Sequence, residues 1–176
     1  MPRFLVAVIA IASCCGLALA QSQTPPSGAK SVGTVQDKAD GAQKKGFVGN
    51  ISELTEKNSD FRRVLYTGKN LQLVLMSLKP GEDIGEEVHD DVDQFFRIEE
   101  GSGEVSINGQ RSSVKSEDAI LVPAGARHNV TNTGTTPLRF YTLYGPPEHT
   151  DKTVHPTKQD AQSHETRFDG KPSEVD

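Results

Sequence analysis

Between Phe47 and Tyr144 the apolar residues come in short runs, each ended by glycine, proline or polar turn residues. Runs of this length suit strands and are too short for well-packed helices. Strands are expected at Phe61–Tyr66, Leu71–Leu78, Gln94–Ile98, Glu104–Ile107, Ala119–Val122, His128–Thr131 and Leu138–Tyr144. Several alternate, as Leu71, Leu73 and Leu75 do with Gln72 and Val74, the pattern of a sheet whose two faces differ. Asn108-Gly109, between Ile107 and Gln110, is a two-residue hairpin signal. A single helical turn is expected at Ile51–Lys57. So many short strands with so little helix predict an all-β barrel or sandwich.

The flanks have a different character. Met1-Pro2-Arg3 is a short positive start, Phe4–Ala12 is apolar, and Ala18-Leu19-Ala20 offers small residues for a peptidase. Residues 1–20 therefore read as a cleaved signal peptide, which predicts a secreted or periplasmic protein. Ile11-Ala12-Ser13-Cys14 gives a minor alternative, a lipoprotein anchored at Cys14. The apolar run is too short for a membrane span. Cys14 and Cys15 are the only cysteines, so the exported chain has no disulfide and no thiolate ligand. Residues 21–45 are rich in Gln, Ser, Gly, Pro, Lys and Ala and predict a flexible tether. Residues 147–176 read as a polar, loose C-terminal tail. Without Arg3 the chain keeps 18 basic residues against 24 acidic ones, a net charge of −6. That balance excludes nucleic acid as a natural partner, because phosphate binding needs a basic surface.

Four side chains stand where a barrel mouth would gather them. Glu87 and His89 are two apart and share a face in extended chain. Gln94 opens the next strand, with Phe96 and Ile98 on its face. Pro123-x-Gly125 makes a turn that delivers His128 to a later strand. A carboxylate, two imidazoles and an amide oxygen form an N/O set suited to one divalent ion, such as Zn, Mn, Fe or Ni. Glu87 is also the ligand placed to exchange protons. Arg97 should point away from Gln94, and Asn132 reads as a hydrogen-bonding turn residue. For His149 and His155 two readings stand: a lid over the mouth, or a solvated tail.

These residues resemble the cupin motifs. Gly81-x5-Glu87-x-His89-x4-Gln94-x6-Gly101 is similar to the first motif, G-x5-H-x-H-x3,4-E-x6-G. Glu117-x5-Pro123-x-Gly125-x2-His128-x3-Asn132 is similar to the second, G-x5-P-x-G-x2-H-x3-N. Glu87 replaces the first histidine, Gln94 the glutamate and Glu117 a turn glycine. The ligand charge of −1 is thereby kept. The set is similar in kind to that of cupin-type mannose-6-phosphate isomerases.

The resemblance implies a double-stranded β-helix, or jelly-roll barrel, over residues 46–146, and a homodimer through the barrel edge. Its site residues imply a metal-dependent enzyme on a small oxygenated substrate, sugar-like or a dicarbonyl or diol, with isomerase-like chemistry. A metal-dependent dioxygenase and a non-catalytic sugar- or ligand-binding module are the alternatives.

Overall fold

A computed structural model describes residues 45–174. The expected signal peptide, with Cys14, and the tether up to residue 44 lie outside them.

A short helix, α1 (Ile51–Glu56), precedes β1 (Arg62–Thr67) and β2 (Gln72–Leu78). Asn50 caps α1 by accepting the Glu53 N–H. Six strands follow: β3 (Asp93–Glu100), β4 (Ser102–Ile107), β5 (Gln110–Lys115), β6 (Ala119–Val122), β7 (His128–Thr131) and β8 (Leu138–Gly145). The chain ends in β9 (Val154–His155) and α2 (Lys158–Ser163). One sheet has the order β6-β3-β8-β2-β1-β9 and the other β5-β4-β7. Every strand pairing is antiparallel, and the non-sequential order is that of a jelly roll. Among the described residues no helix is long and apolar enough to cross a membrane.

The core lies between the two sheets. Val74, Met76, Phe96, Ile98 and Phe140 come from the larger sheet, Val105 and Val130 from the smaller, and all are buried. Phe96 and Phe140 meet edge to face at 5.7 Å, an arrangement that adds to their area burial.

The seven expected strands are present, with ends displaced by at most two residues. β5 is an additional strand, and its polarity explains why its sequence conceals it: only Val114 of its six residues is buried. The first half of β2 faces opposite to what its leucines suggest, and from Val74 onward both faces are buried. Gln72, Val74, Met76 and Leu78 are buried, while Leu71 is 51% exposed. Gln72 tolerates the interior because its amide is fully engaged. It donates to Thr67 Oγ1 at 2.9 Å and to the His149 carbonyl at 2.7 Å, and accepts the His149 N–H at 2.9 Å. A buried amide so satisfied costs little.

That contact also begins to explain the C-terminal segment, which is packed on the barrel rather than loose. β9 pairs with β1, setting His155 opposite Arg62. Thr157 and Asp160 form a capping box for α2, and Ala161 is buried beneath it. Lys158 pairs with Asp83 at 2.6 Å. A composition poor in apolar side chains hides this order because backbone pairing, capping and ion pairs supply the anchors.

Candidate metal centre

The segment after β2 runs alongside β7. Ile84 donates to the Val130 carbonyl at 3.0 Å, and Glu87 and His128 exchange both backbone bonds at 2.9 Å. Directly opposed residues in such a pair present their side chains to one face, so Glu87 and His128 share the barrel mouth. The 123–126 turn is closed by the Ala126 N–H on the Pro123 carbonyl at 3.1 Å. Gly125 takes φ +77° there, a conformation side-chain-bearing residues avoid. Its N–H donates to the His89 carbonyl at 2.7 Å, which ties the two ligand segments together.

One ligand atom each from Glu87, His89 and His128 lie within 4.8 Å of one another. Glu87 Oε2 is 3.5 Å from His89 Nε2 and 3.9 Å from His128 Nε2. Gln94 is buried, and its Oε1 lies 3.0 Å from His128 Nε2, while its Nε2 donates to Thr142 Oγ1 at 3.1 Å. All four residues singled out from the sequence are therefore brought together.

Both imidazoles are held from behind. His128 Nδ1 is 3.1 Å from the Ala126 carbonyl, a contact that favours the tautomer protonated on Nδ1, with the Nε2 lone pair facing inward. Burial lowers the His128 pKa and keeps the ring neutral. His89 Nδ1 faces Glu148 at 3.6 Å, and its buried Nε2 has no hydrogen-bond partner among the described residues. A histidine oriented by a carboxylate on one nitrogen, with the other free, is the arrangement metal-bound histidines adopt. His128 Nε2 and Gln94 Oε1 lie 3.0 Å apart, the spacing of two donors each about 2.1 Å from one ion at right angles. The donor set fits a metal ion: Glu87, His89 and His128 could hold one.

Glu148 first, then Glu87, raises the His89 pKa to about 9. In chelated protein this ring is charged at neutral pH, a state the fold favours over the unfolded chain. The resulting stability is present in full below about pH 6.5, the unfolded value, and is lost as pH rises through about 9. In an NMR titration of chelated protein, the His89 midpoint is expected near 9 and lower in Glu148→Gln. An unchanged midpoint in that variant would remove Glu148 from the account.

A cavity of about 330 Å³ opens over Glu87 and His89, bordered also by Arg62, Glu148 and His149. Its wall carries six carboxylates and two arginines. His149 is folded into this wall, 6% exposed, with its ring 5.0 Å from Tyr144. His155 is buried on β9 and is not among the cavity's lining residues. Burial first, then the Arg62 charge, holds the His149 pKa well below its ordinary value. Arg97 points outward to Glu117 at 2.9 Å. Asn132 donates to the carbonyls of Leu78 and Thr136 at 2.9 and 2.8 Å and accepts the Gly134 N–H, a structural role.

Three neighbours of the site were not singled out from the sequence. Arg62 lies on the buried face of β1 with Val64, and a charge in register with an apolar face was the available signal. Tyr144, buried, meets His89 edge to face at 5.8 Å and opposes Gln94 across the β3–β8 pair. Glu148 carries no local signal, because its position depends on the docked C-terminal segment.

A family model described as Cupin domain matches residues 74–144. The uncharacterized protein YrkC of Bacillus subtilis is 53% identical over 124 residues, covering 66% of each chain, so this chain spans about two thirds of that relative. A crystal structure of a protein from Bacillus halodurans is 46% identical and has a TM-score of 0.68, covering 69% of this chain and 97% of that one. The chain belongs to the cupin family. Its jelly-roll barrel and compact two-motif organisation are those of a small cupin, and cupins commonly bind a metal at the barrel mouth. A more distant relative, the oxalate-binding protein of Thermotoga maritima, is 32% identical over 65 residues, covering 37% of this chain and 54% of that relative.

Proposed function

We propose that this cupin is a metal-dependent enzyme acting on a small oxygenated substrate, with isomerase-like chemistry. The observation that carries the reading is the pair of imidazoles whose Nε2 atoms converge on Glu87 while Ala126 and Glu148 hold their Nδ1 sides. Glu87, His89, Gln94 and His128 would hold one divalent ion. Such an ion polarises a carbonyl or hydroxyl oxygen of the substrate.

The protein's own groups divide the remaining work. Glu87, half-buried against the cavity, has one oxygen facing the imidazoles and the other 3.4 Å from Arg62 Nη2. It is the group that can take a proton from substrate carbon and return it to the neighbouring carbon, while the substrate's hydroxyl proton passes to the former carbonyl oxygen through the same carboxylate or solvent, so that the isomerisation balances. His128 and Gln94 lie beneath, 2% and 1% exposed; that depth supports a ligand role over direct proton exchange. At about 330 Å³ the cavity lies at the small end of the range of ligand pockets, which supports a small substrate.

Protein loaded with Mn²⁺, Zn²⁺ or Fe²⁺ is expected to interconvert hydroxy-carbonyl isomers without consuming O₂. Chelation should stop turnover, and Glu87→Gln should lower it by about 10²-fold or more. Turnover indifferent to chelation and to Glu87→Gln would contradict the assignment, and O₂ uptake would point to a dioxygenase instead. The oxalate-binding relative favours a second reading, a non-catalytic ligand-binding module. The six carboxylates of the cavity wall oppose a dianionic ligand here.

A further inference from the structure

Arg62 is the unusual group in the wall beside the candidate metal centre. It is 6% exposed and borders both the 330 Å³ cavity and a neighbouring one of about 190 Å³. A buried guanidinium normally has its five N–H donors satisfied by carboxylates or carbonyls. Here the one side-chain hydrogen bond among the described residues is Nη2 to Glu87 Oε1 at 3.4 Å. That is long beside the roughly 2.7–2.9 Å of a charge-assisted bond. Nε is buried with no partner among the described residues.

The side chain is nevertheless fixed. Its backbone lies in the β1–β9 pair opposite His155, and its guanidinium carbon sits 5.9 Å from the centre of the Phe61 ring. A held, under-used fork of donors next to a cavity is suited to a planar oxygen pair. The six carboxylates of the wall, against two arginines, limit the negative charge a ligand can bring, which favours one carboxylate over two.

We propose that Arg62 anchors the carboxylate of a small 2-hydroxy or 2-oxo monocarboxylic acid, whose neighbouring oxygen faces Glu87, His89 and His128. The inference rests on the metal-dependent reading above and deepens it by naming the substrate class. It makes Arg62 a specificity-determining residue, because an uncharged isostere leaves the guanidinium unpaired.

The test is calorimetric titration of the full chain, loaded with Mn²⁺ and assayed for metal content, with lactate, pyruvate and lactamide. Lactate or pyruvate is expected to bind at least about tenfold more tightly than lactamide, the size of one charge-assisted contact. Arg62→Met should lose that advantage while keeping its manganese and its melting temperature, and Arg62→Lys should keep part of it. Equal binding of the acids and lactamide by the manganese-loaded wild type overturns this inference alone. So does unchanged lactate affinity in Arg62→Met. The wild-type comparison decides the matter if Arg62→Met does not fold. Protein that retains no manganese overturns the metal-dependent reading and this inference with it.

Discussion

His128→Ala is expected to leave a folded cupin that no longer retains metal. The reason lies in what the ring supplies. Its Nε2 faces both Gln94 and Glu87, at 3.0 and 3.9 Å, so its removal breaks the centre of the donor set. His89→Ala should have the same effect, because His89 Nε2 is the other inward imidazole nitrogen. Loss of affinity should exceed about 100-fold for either, since changes merely to groups behind the ligands cost about 10- to 100-fold. Glu148→Gln, which acts through His89, should fall in that smaller range. Gln94→Ala should weaken binding without abolishing it, because an amide oxygen is the poorest donor of the four. Elemental analysis after gel filtration reads all of these. Metal content unchanged in both histidine variants would place any ion elsewhere.

Gly101→Ala should be strongly destabilising. Gly101 takes φ +90°, and a Cβ there would lie 2.5 Å from the Pro137 carbonyl oxygen and 3.0 Å from Leu138 Cα. Both neighbours are backbone, so neither can swing aside. The strained dihedral and the overpacking together are expected to cost about 3 kcal/mol or more. For a domain of this size that lowers Tm by roughly 10 °C. Thermal unfolding followed by circular dichroism measures it, and a Tm within two or three degrees of wild type, on the same scale, would contradict the packing described for the β3–β4 corner. Glu117 is a useful contrast. It occupies a glycine position of the second cupin motif and keeps the left-handed backbone, φ +79°. Its side chain stands in solvent against Arg97, which is why that departure from the motif is tolerated.

The fold was legible where turn residues punctuate apolar runs, because those signals are local. Gln94, Phe96 and Ile98 share the inner face of β3 and Arg97 the outer, as alternation requires. The same rule failed on β2, where Leu71 is exposed, Leu73 is half-buried and Gln72 is interior. Alternation reports which residues share a face; it does not say which face is covered. Gln72 is inside because the His149 backbone meets its amide, a contact 77 residues away in sequence. The site divides similarly. Glu87, His89, Gln94 and His128 carry spacing that reads directly as a shared barrel mouth. Glu148 reaches the site through the docked segment and carries no local signal, whereas Arg62 shows only that of a charge in register with the apolar face of β1.

Anomalous diffraction at the metal edge, from crystals of the full chain grown with Mn²⁺ or Zn²⁺, tests the metal centre most directly. A single strong peak is expected between Glu87, His89, Gln94 and His128, with both histidine Nε2 atoms about 2.1 Å from it. No peak at that position, or one bound elsewhere while His128 Nε2 stays against Gln94, would contradict the metal centre and the chemistry proposed from it.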